Sequence, residues 1–325
     1  MRTLGGGATT PSGATGASPV EVVPKSLSSL LSRLECVGDR AYSARELPGG
    51  LTNRNYRVQT DEADLVVRVA APHGRLLSID RDSEHYNSVA AAEAGVGAPV
   101  VEYRPDLGVL VVGYIAARTL TAEDLRDGRQ LSRVAEACRR LHSGRRFRGD
   151  FDMFEIQARY LSIVKEQRFR LPERYLEYMP AVERVRAALV AHPPATVPCN
   201  NDLLAGNILD DGEEIHLIDY EYSGNNDPCF ELGNIWSESS LSLDQLEELV
   251  GHYFGRPHPE LVARARLQGL MSKYGWTLWA SIQHATAENV SNFDFWGWGL
   301  EKYERAVAEF EDPAFGRLLD QAAGS

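Results

Sequence analysis

Asn200-Asn201-Asp202-Leu203-Leu204-Ala205-Gly206-Asn207, followed by Leu217-Ile218-Asp219-Tyr220-Glu221, is the stretch whose reading decides the fold. Asp202 stands five residues before Asn207, and Asp219 twelve residues after it. In phosphoryl transfer an Asp at the first position accepts or orients the proton of the attacking hydroxyl. An Asn five residues on holds a metal ion against the phosphates. Five residues of loop let both side chains face one cleft from a single turn. Asp219 leaves an apolar strand where a second metal-binding carboxylate belongs. Between them, Ile208-Leu209, the polar turn Asp210 to Glu214 and Ile215 to Ile218 read as a small hairpin. Either piece alone is as readily a turn or a helix cap. Together they predict Asp202, Asn207 and Asp219 as catalytic, with Asn207 and Asp219 holding a metal ion.

Upstream, the chain is β-rich. Ala41 to Leu47, Asn55 to Thr60 and Leu65 to Val69 read as strands, Asp80 to Ala94 as a helix stopped by Gly95, and Val100 to Arg104 and Val109 to Tyr114 as two more strands. Pro24 to Val37 reads as a short amphipathic helix before them. Between the first two strands lies Pro48-Gly49-Gly50-Leu51-Thr52-Asn53-Arg54-Asn55. Glycines there permit close backbone approach to phosphates. Gly50, Thr52, Asn53 and Asn55 are therefore the candidate nucleotide contacts. Arg68 is a cation inside an apolar strand, so it needs either an exit to solvent or a partner. Glu84 on the following helix can be that partner. Protein kinases place Lys and Glu at these two positions, and Arg does the same electrostatic work with a fixed fork. Tyr114 ends the strand where two lobes would join, so its backbone is placed to meet adenine.

Downstream the pattern turns helical: Ala122 to Leu141, Met153 to Gln167, Pro180 to Ala191, Leu243 to Phe254, Glu260 to Ala287 and Trp298 to Phe310. The expected fold class is therefore α+β, a two-lobed protein-kinase-like fold. Residues 1–22 form a disordered tail, 23–115 the nucleotide-binding lobe, and 116–325 the catalytic and acceptor-binding lobe. The tail is Gly-, Ala-, Ser- and Thr-rich and cannot bury enough surface to order itself.

Composition narrows the function. The chain of 325 residues carries 34 Lys plus Arg against 46 Asp plus Glu, a net charge of -12, which argues against a nucleic-acid partner and fits a cationic substrate. Cys36, Cys138, Cys199 and Cys229 show no metal-ligand spacing and read as reduced thiols of a cytoplasmic protein. The longest apolar stretch, near Leu107 to Ala117, is far short of the roughly 20 residues of a membrane helix. A homo-oligomer stays open.

These residues resemble the choline and ethanolamine kinase branch of the aminoglycoside phosphotransferase-like kinases. The similarity runs from about Leu47 to Phe310 through Gly49 to Asn53, Asn201 to Asn207, and Asp219 to Asn234. The resemblance implies ATP as cosubstrate with Mg2+, O-phosphorylation of a small cationic amino alcohol, and an Arg at position 68. One position departs from it: Asn200 stands where the family has a loop-bracing His. All five tryptophans lie in the last third of the chain, and Trp276 and Trp279 share a helix face. Such a pair serves either a core or a cation cage. The resemblance favours a cage built from Trp276, Trp279, Trp298, Tyr222 and Glu238, since aromatic faces hold a quaternary ammonium that cannot donate an N–H bond. Two rivals share the motifs: an antibiotic phosphotransferase of the aminoglycoside type, and a nucleotide-binding pseudo-kinase.

Overall fold

The computed structural model describes residues 25–48, 53–70, 76–77, 79–256, 258–287 and 293–324. The expected tail, with Gly50 and Thr52, lies outside them. The chain opens with α1 (Lys25–Leu31), then β1 (Ser43–Leu47), β2 (Asn53–Gln59) and β3 (Asp64–Ala70). Next come α2 (Arg81–Glu93), β4 (Val100–Arg104) and β5 (Val109–Gly113). The five strands form one antiparallel sheet in the order β1-β2-β3-β5-β4. Strand alternation decides what each face carries. Tyr56, Val58, Leu65, Val67, Val109 and Val111 bury against Leu27, Leu31, Leu34 and Val37 on one face. The opposite face therefore presents Asn53, Asn55 and Arg68, and the register sets Asn55 directly against Arg68. α2 is capped by Asp80, whose side chain accepts from the N–H groups of Asp82 and Ser83, and this fixes Glu84 one turn in.

Short β6 (Arg118–Thr119) leads into the helical lobe. There follow α3 (Gly128–His142), α4 (Met153–Glu166), α5 (Met179–Ala191) and β7 (Val197–Cys199). Then come β8 (Ile208–Asp210), β9 (Ile215–Leu217), β10 (Gly224–Asn226), α6 (Pro228–Glu238) and α7 (Leu243–Phe254). α8 (Pro259–Thr286), α9 (Phe295–Phe310) and α10 (Phe315–Ala322) complete the chain. The hairpin read from the sequence is β8–β9, with Ile208 opposite Leu217. α8 is buried almost all round from Ala263 to Gln283 and is the axis of the lobe. α6 lies against it at a glycine contact: a Cβ on Gly233 would strike the carbonyl oxygen of Ala265, and one on Gly269 the carbonyl of Gly233. Glu238, at the end of α6, meets Lys302 of α9.

The sequence reading differs from the structure in several places. The first helix ends at Leu31 and continues only as turns. The helix expected from Ala122 begins at Gly128, because Asp127 accepts the Arg129 N–H as its cap. The helix expected from Trp298 begins at Phe295, because Asp294 accepts the Gly297 N–H as its cap. α6, α10, β6, β7 and β10 were not anticipated. No described helix is long and apolar enough to cross a membrane.

Candidate active site

β7 and β10 pair antiparallel, with Cys199 opposite Gly224. The pairing clamps together the start of the Asn200–Asn207 loop and the end of the Asp219–Ser223 segment. Asn201 and Asp219 both adopt left-handed backbone, φ 67° and 66°, a conformation that Asn and Asp tolerate better than other side-chain-bearing residues. Buried groups hold the loop. Glu231 of α6 accepts the N–H groups of Asn200 and Asn201, each at 2.8 Å. Asn234 accepts the N–H of Leu203 at 2.7 Å. Asn200 donates through Nδ2 to the carbonyls of Ile218 and Asp219, both at 3.1 Å, and accepts the Asp202 N–H at 3.0 Å. The departure at position 200 is thereby explained in physical terms: the amide bridges the loop to the Asp219 segment. His142 ends α3, is buried, pairs with the Tyr253 hydroxyl at 2.7 Å and lies 3.6 Å from Glu231.

Within this frame Asn207 donates through Nδ2 to the Asp202 carbonyl at 2.8 Å, and its own carbonyl accepts the Ile218 N–H at 3.0 Å. Asn207 and Asp219 are thus brought side by side, with the amide oxygen of Asn207 left over. The Asp202 carboxylate is half-buried and makes no hydrogen bond or ion pair among the described residues. Burial pushes its pKa well up, and the charges of Asp219, Glu238 and Glu221 push it further, with Lys302 opposing.

Arg68 crosses from the sheet to this segment. One terminal nitrogen lies 3.2 Å from Glu84, and the other 2.6 Å from Asp219 and 3.1 Å from Glu221. The sequence reading anticipated the Glu84 partner and missed the two carboxylates across the cleft. Arg81 joins the cluster at 2.6 Å from Glu84 and 3.3 Å from Glu221, and donates to Asn53 Oδ1 at 2.9 Å. Asn53 in turn donates to Glu221 at 2.9 Å. Burial alone would lower the Arg68 pKa, but Asp219, Glu84 and Glu221 outweigh it and hold the pKa above its ordinary value. Three carboxylates against two guanidiniums leave the cluster one positive charge short. With the Asn207 amide and Asp219 carboxylate, it offers hard oxygen donors that fit Mg2+. Tyr114 is a partial correction: its N–H is committed to the Asp64 carbonyl at 2.9 Å and its ring is covered by Arg57.

On the other side of Asp202 the aromatic residues converge. Trp279 donates its indole N–H to the Tyr222 hydroxyl at 2.8 Å, and the Tyr222 ring packs edge-on to Trp276 at 4.9 Å between centroids. Trp298 meets Trp279 at 5.6 Å. Trp276 and Trp279 are only 3% and 5% exposed and belong to the main core, so the pair packs the lobe. Glu238 reaches the same region, but its Oε2 is taken by the Lys302 ammonium at 2.5 Å. The sequence reading missed Lys302, although it stands one helical turn after Trp298 and so shares its face.

A family model described as the phosphotransferase enzyme family matches residues 43–270. The crystal structure of a choline/ethanolamine kinase family protein from Mesorhizobium loti is 33% identical, superposes with a TM-score of 0.81, and matches 92% of this chain and 99% of its own. The chain belongs to this family. The choline kinase LicA from Streptococcus pneumoniae is similar at 25% identity, with a TM-score of 0.74 over 88% of this chain and 98% of that one. Protein LicA of Haemophilus influenzae is 28% identical over 75% of each chain. As a phosphotransferase of this family, the chain has the two-lobed kinase-like fold and acts on an alcohol group.

Proposed function

We propose that this phosphotransferase moves the γ-phosphoryl group of Mg-ATP onto the hydroxyl of a small cationic amino alcohol, choline ahead of ethanolamine. The observation that carries the reading is the position of Asp202. Its carboxylate is within the field of Asp219 and Glu221, of the cluster suited to metal and phosphates, and of the Glu238–Lys302 pair beside the aromatic residues. Asp202 takes or orients the acceptor hydroxyl's proton. Asn207 and Asp219 would hold Mg2+, which supplies charge neutralisation on the phosphates. Arg68, fixed by Glu84 and Glu221, keeps Asp219 in place and supplies positive charge beside the phosphates. Asn53 and Asn55 line the same face of the sheet, and Gly50 and Thr52 complete the nucleotide loop in this proposal.

Tyr222, Trp276, Trp279 and Trp298 would offer polarizable faces to the acceptor's methylated cation. Ethanolamine needs several hydrogen-bond acceptors, and aromatic walls supply few. The free cysteines support a cytoplasmic setting. The test is Asp202→Asn, which keeps the shape and removes the base. It should lower kcat by at least about 100-fold, while ATP affinity measured by calorimetry stays near wild type. Turnover near wild type would remove Asp202 from the chemistry.

A further inference from the structure

Lys302 projects from α9 toward the end of α6. Its side chain is 5% exposed, as is that of Glu238, and Nζ lies 2.5 Å from Glu238 Oε2. The same ammonium stands over the Trp298 ring, 4.2 Å from its centroid. A buried carboxylate and an indole face are the two groups that recognise a substrate ammonium. In this chain both already hold one. Among the described residues Lys302 is the only ion-pair partner of Glu238, and Glu238 Oε1 is buried with no hydrogen-bond partner.

We propose that Lys302 is a specificity-determining residue that masks Glu238, so that the acceptor cation is selected by the faces of Tyr222, Trp276 and Trp279 rather than by a carboxylate. The inference rests on the reading of this region as the acceptor site. Two opposite charges at hydrogen-bond distance present almost no net charge to a third ion beyond them. An incoming ammonium therefore gains little Coulomb energy from Glu238 while Lys302 stays. Affinity must come from aromatic contact with the weakly hydrated methyl groups. This sets a modest preference for charge and a stronger one for shape. It also makes Lys302 the position at which that balance can be changed.

The experiment compares choline with 3,3-dimethylbutan-1-ol, a neutral isostere of the same shape, as acceptors of the full-length enzyme. The readout is the ratio of their kcat/KM values. Lys302→Met exposes the Glu238 charge and should raise the choline-to-isostere ratio by at least about 10-fold, equivalent to about 1.4 kcal/mol. Lys302→Arg keeps the charge and should move the ratio by less than about 3-fold. Adding Glu238→Gln to Lys302→Met should bring the ratio back to within about 3-fold of wild type, because the unmasked charge is then gone. Where Lys302→Met does not fold, Lys302→Gln serves, since its amide can still donate to Glu238. An unchanged or lower ratio in these charge-removing variants, in an enzyme that phosphorylates choline, overturns the masking alone. If no amino alcohol is phosphorylated by wild type or variants, the acceptor-site reading fails and the masking goes with it.

Discussion

The two sides of Asp202 are built on opposite principles. Toward the sheet, Arg68, Arg81, Glu84, Asp219 and Glu221 form a polar cluster whose members come from three distant parts of the chain and meet through ion pairs of 2.6–3.3 Å. Toward α8 and α9, the site is a set of packed rings in which a single ion pair, Glu238 with Lys302, is already closed. The first side is short of positive charge and fits a metal ion. The second is a closed ion pair among packed apolar rings. A charge removed from the first should therefore abolish chemistry with little change in the fold, whereas a ring removed from the second should alter both affinity and packing.

The largest effect belongs to Asp219. Asp219→Ala should lower turnover by at least about 1000-fold, and a Mg2+ titration of ATP binding should lose its metal-dependent part. Arg68 keeps Glu84 and Glu221, so the variant should remain folded. Metal-dependent ATP affinity retained alongside a lowered Tm would make Asp219 a structural residue. A smaller effect is expected at Trp279. Trp279→Ala should raise KM for choline by about 5- to 30-fold and leave KM for ATP almost unchanged, with Trp279→Phe recovering part of the loss. Unfolding of the alanine variant would assign the ring to the core alone.

The smallest effect lies behind the aromatic side, at Lys273. Its ammonium is buried against Trp236, 3.6 Å from the ring centroid, with Glu309 at 3.8 Å. Burial lowers its pKa from 10.5 to about 7, only partly offset by Glu309. Between those two values the unfolded chain binds a proton that the folded chain does not, so this residue makes stability rise with pH across that window. Lys273→Met should raise Tm by about 1–4 °C at pH 7 and flatten the rise toward pH 9. Glu309 would keep Arg266, at 2.7 Å. A large drop in Tm would mean that the Lys273–Glu309 pair is needed for packing.

The same contrast governs what the sequence could disclose. That Asp202, Asn207 and Asp219 come together was legible because their spacing along the chain sets it, and the Arg68–Glu84 pair because a cation in an apolar strand demands a partner. Glu221 was not assigned, since its partners Arg68 and Arg81 lie 153 and 140 positions away and no local pattern marks that pairing; Arg81 had a local signal that went unread, Glu84 three residues on. α6 had a signal that went unread: Asp227 caps it and Pro228 opens it. With that helix unread, Glu231 and Asn234 could not be placed as the groups that hold the catalytic loop. Lys302 was hidden for a different reason. A Lys on a helix usually reaches water, and only packing shows that this one stays inside with Glu238.

The most direct measurement is acceptor-dependent ADP release by the purified protein with Mg-ATP, comparing choline, ethanolamine and a kanamycin-type aminoglycoside at equal concentration. The account predicts turnover of choline, slower turnover of ethanolamine, and ADP release with the aminoglycoside no faster than with water alone. Rapid phosphorylation of the aminoglycoside with choline ignored, or ATP binding with no acceptor used, would contradict it.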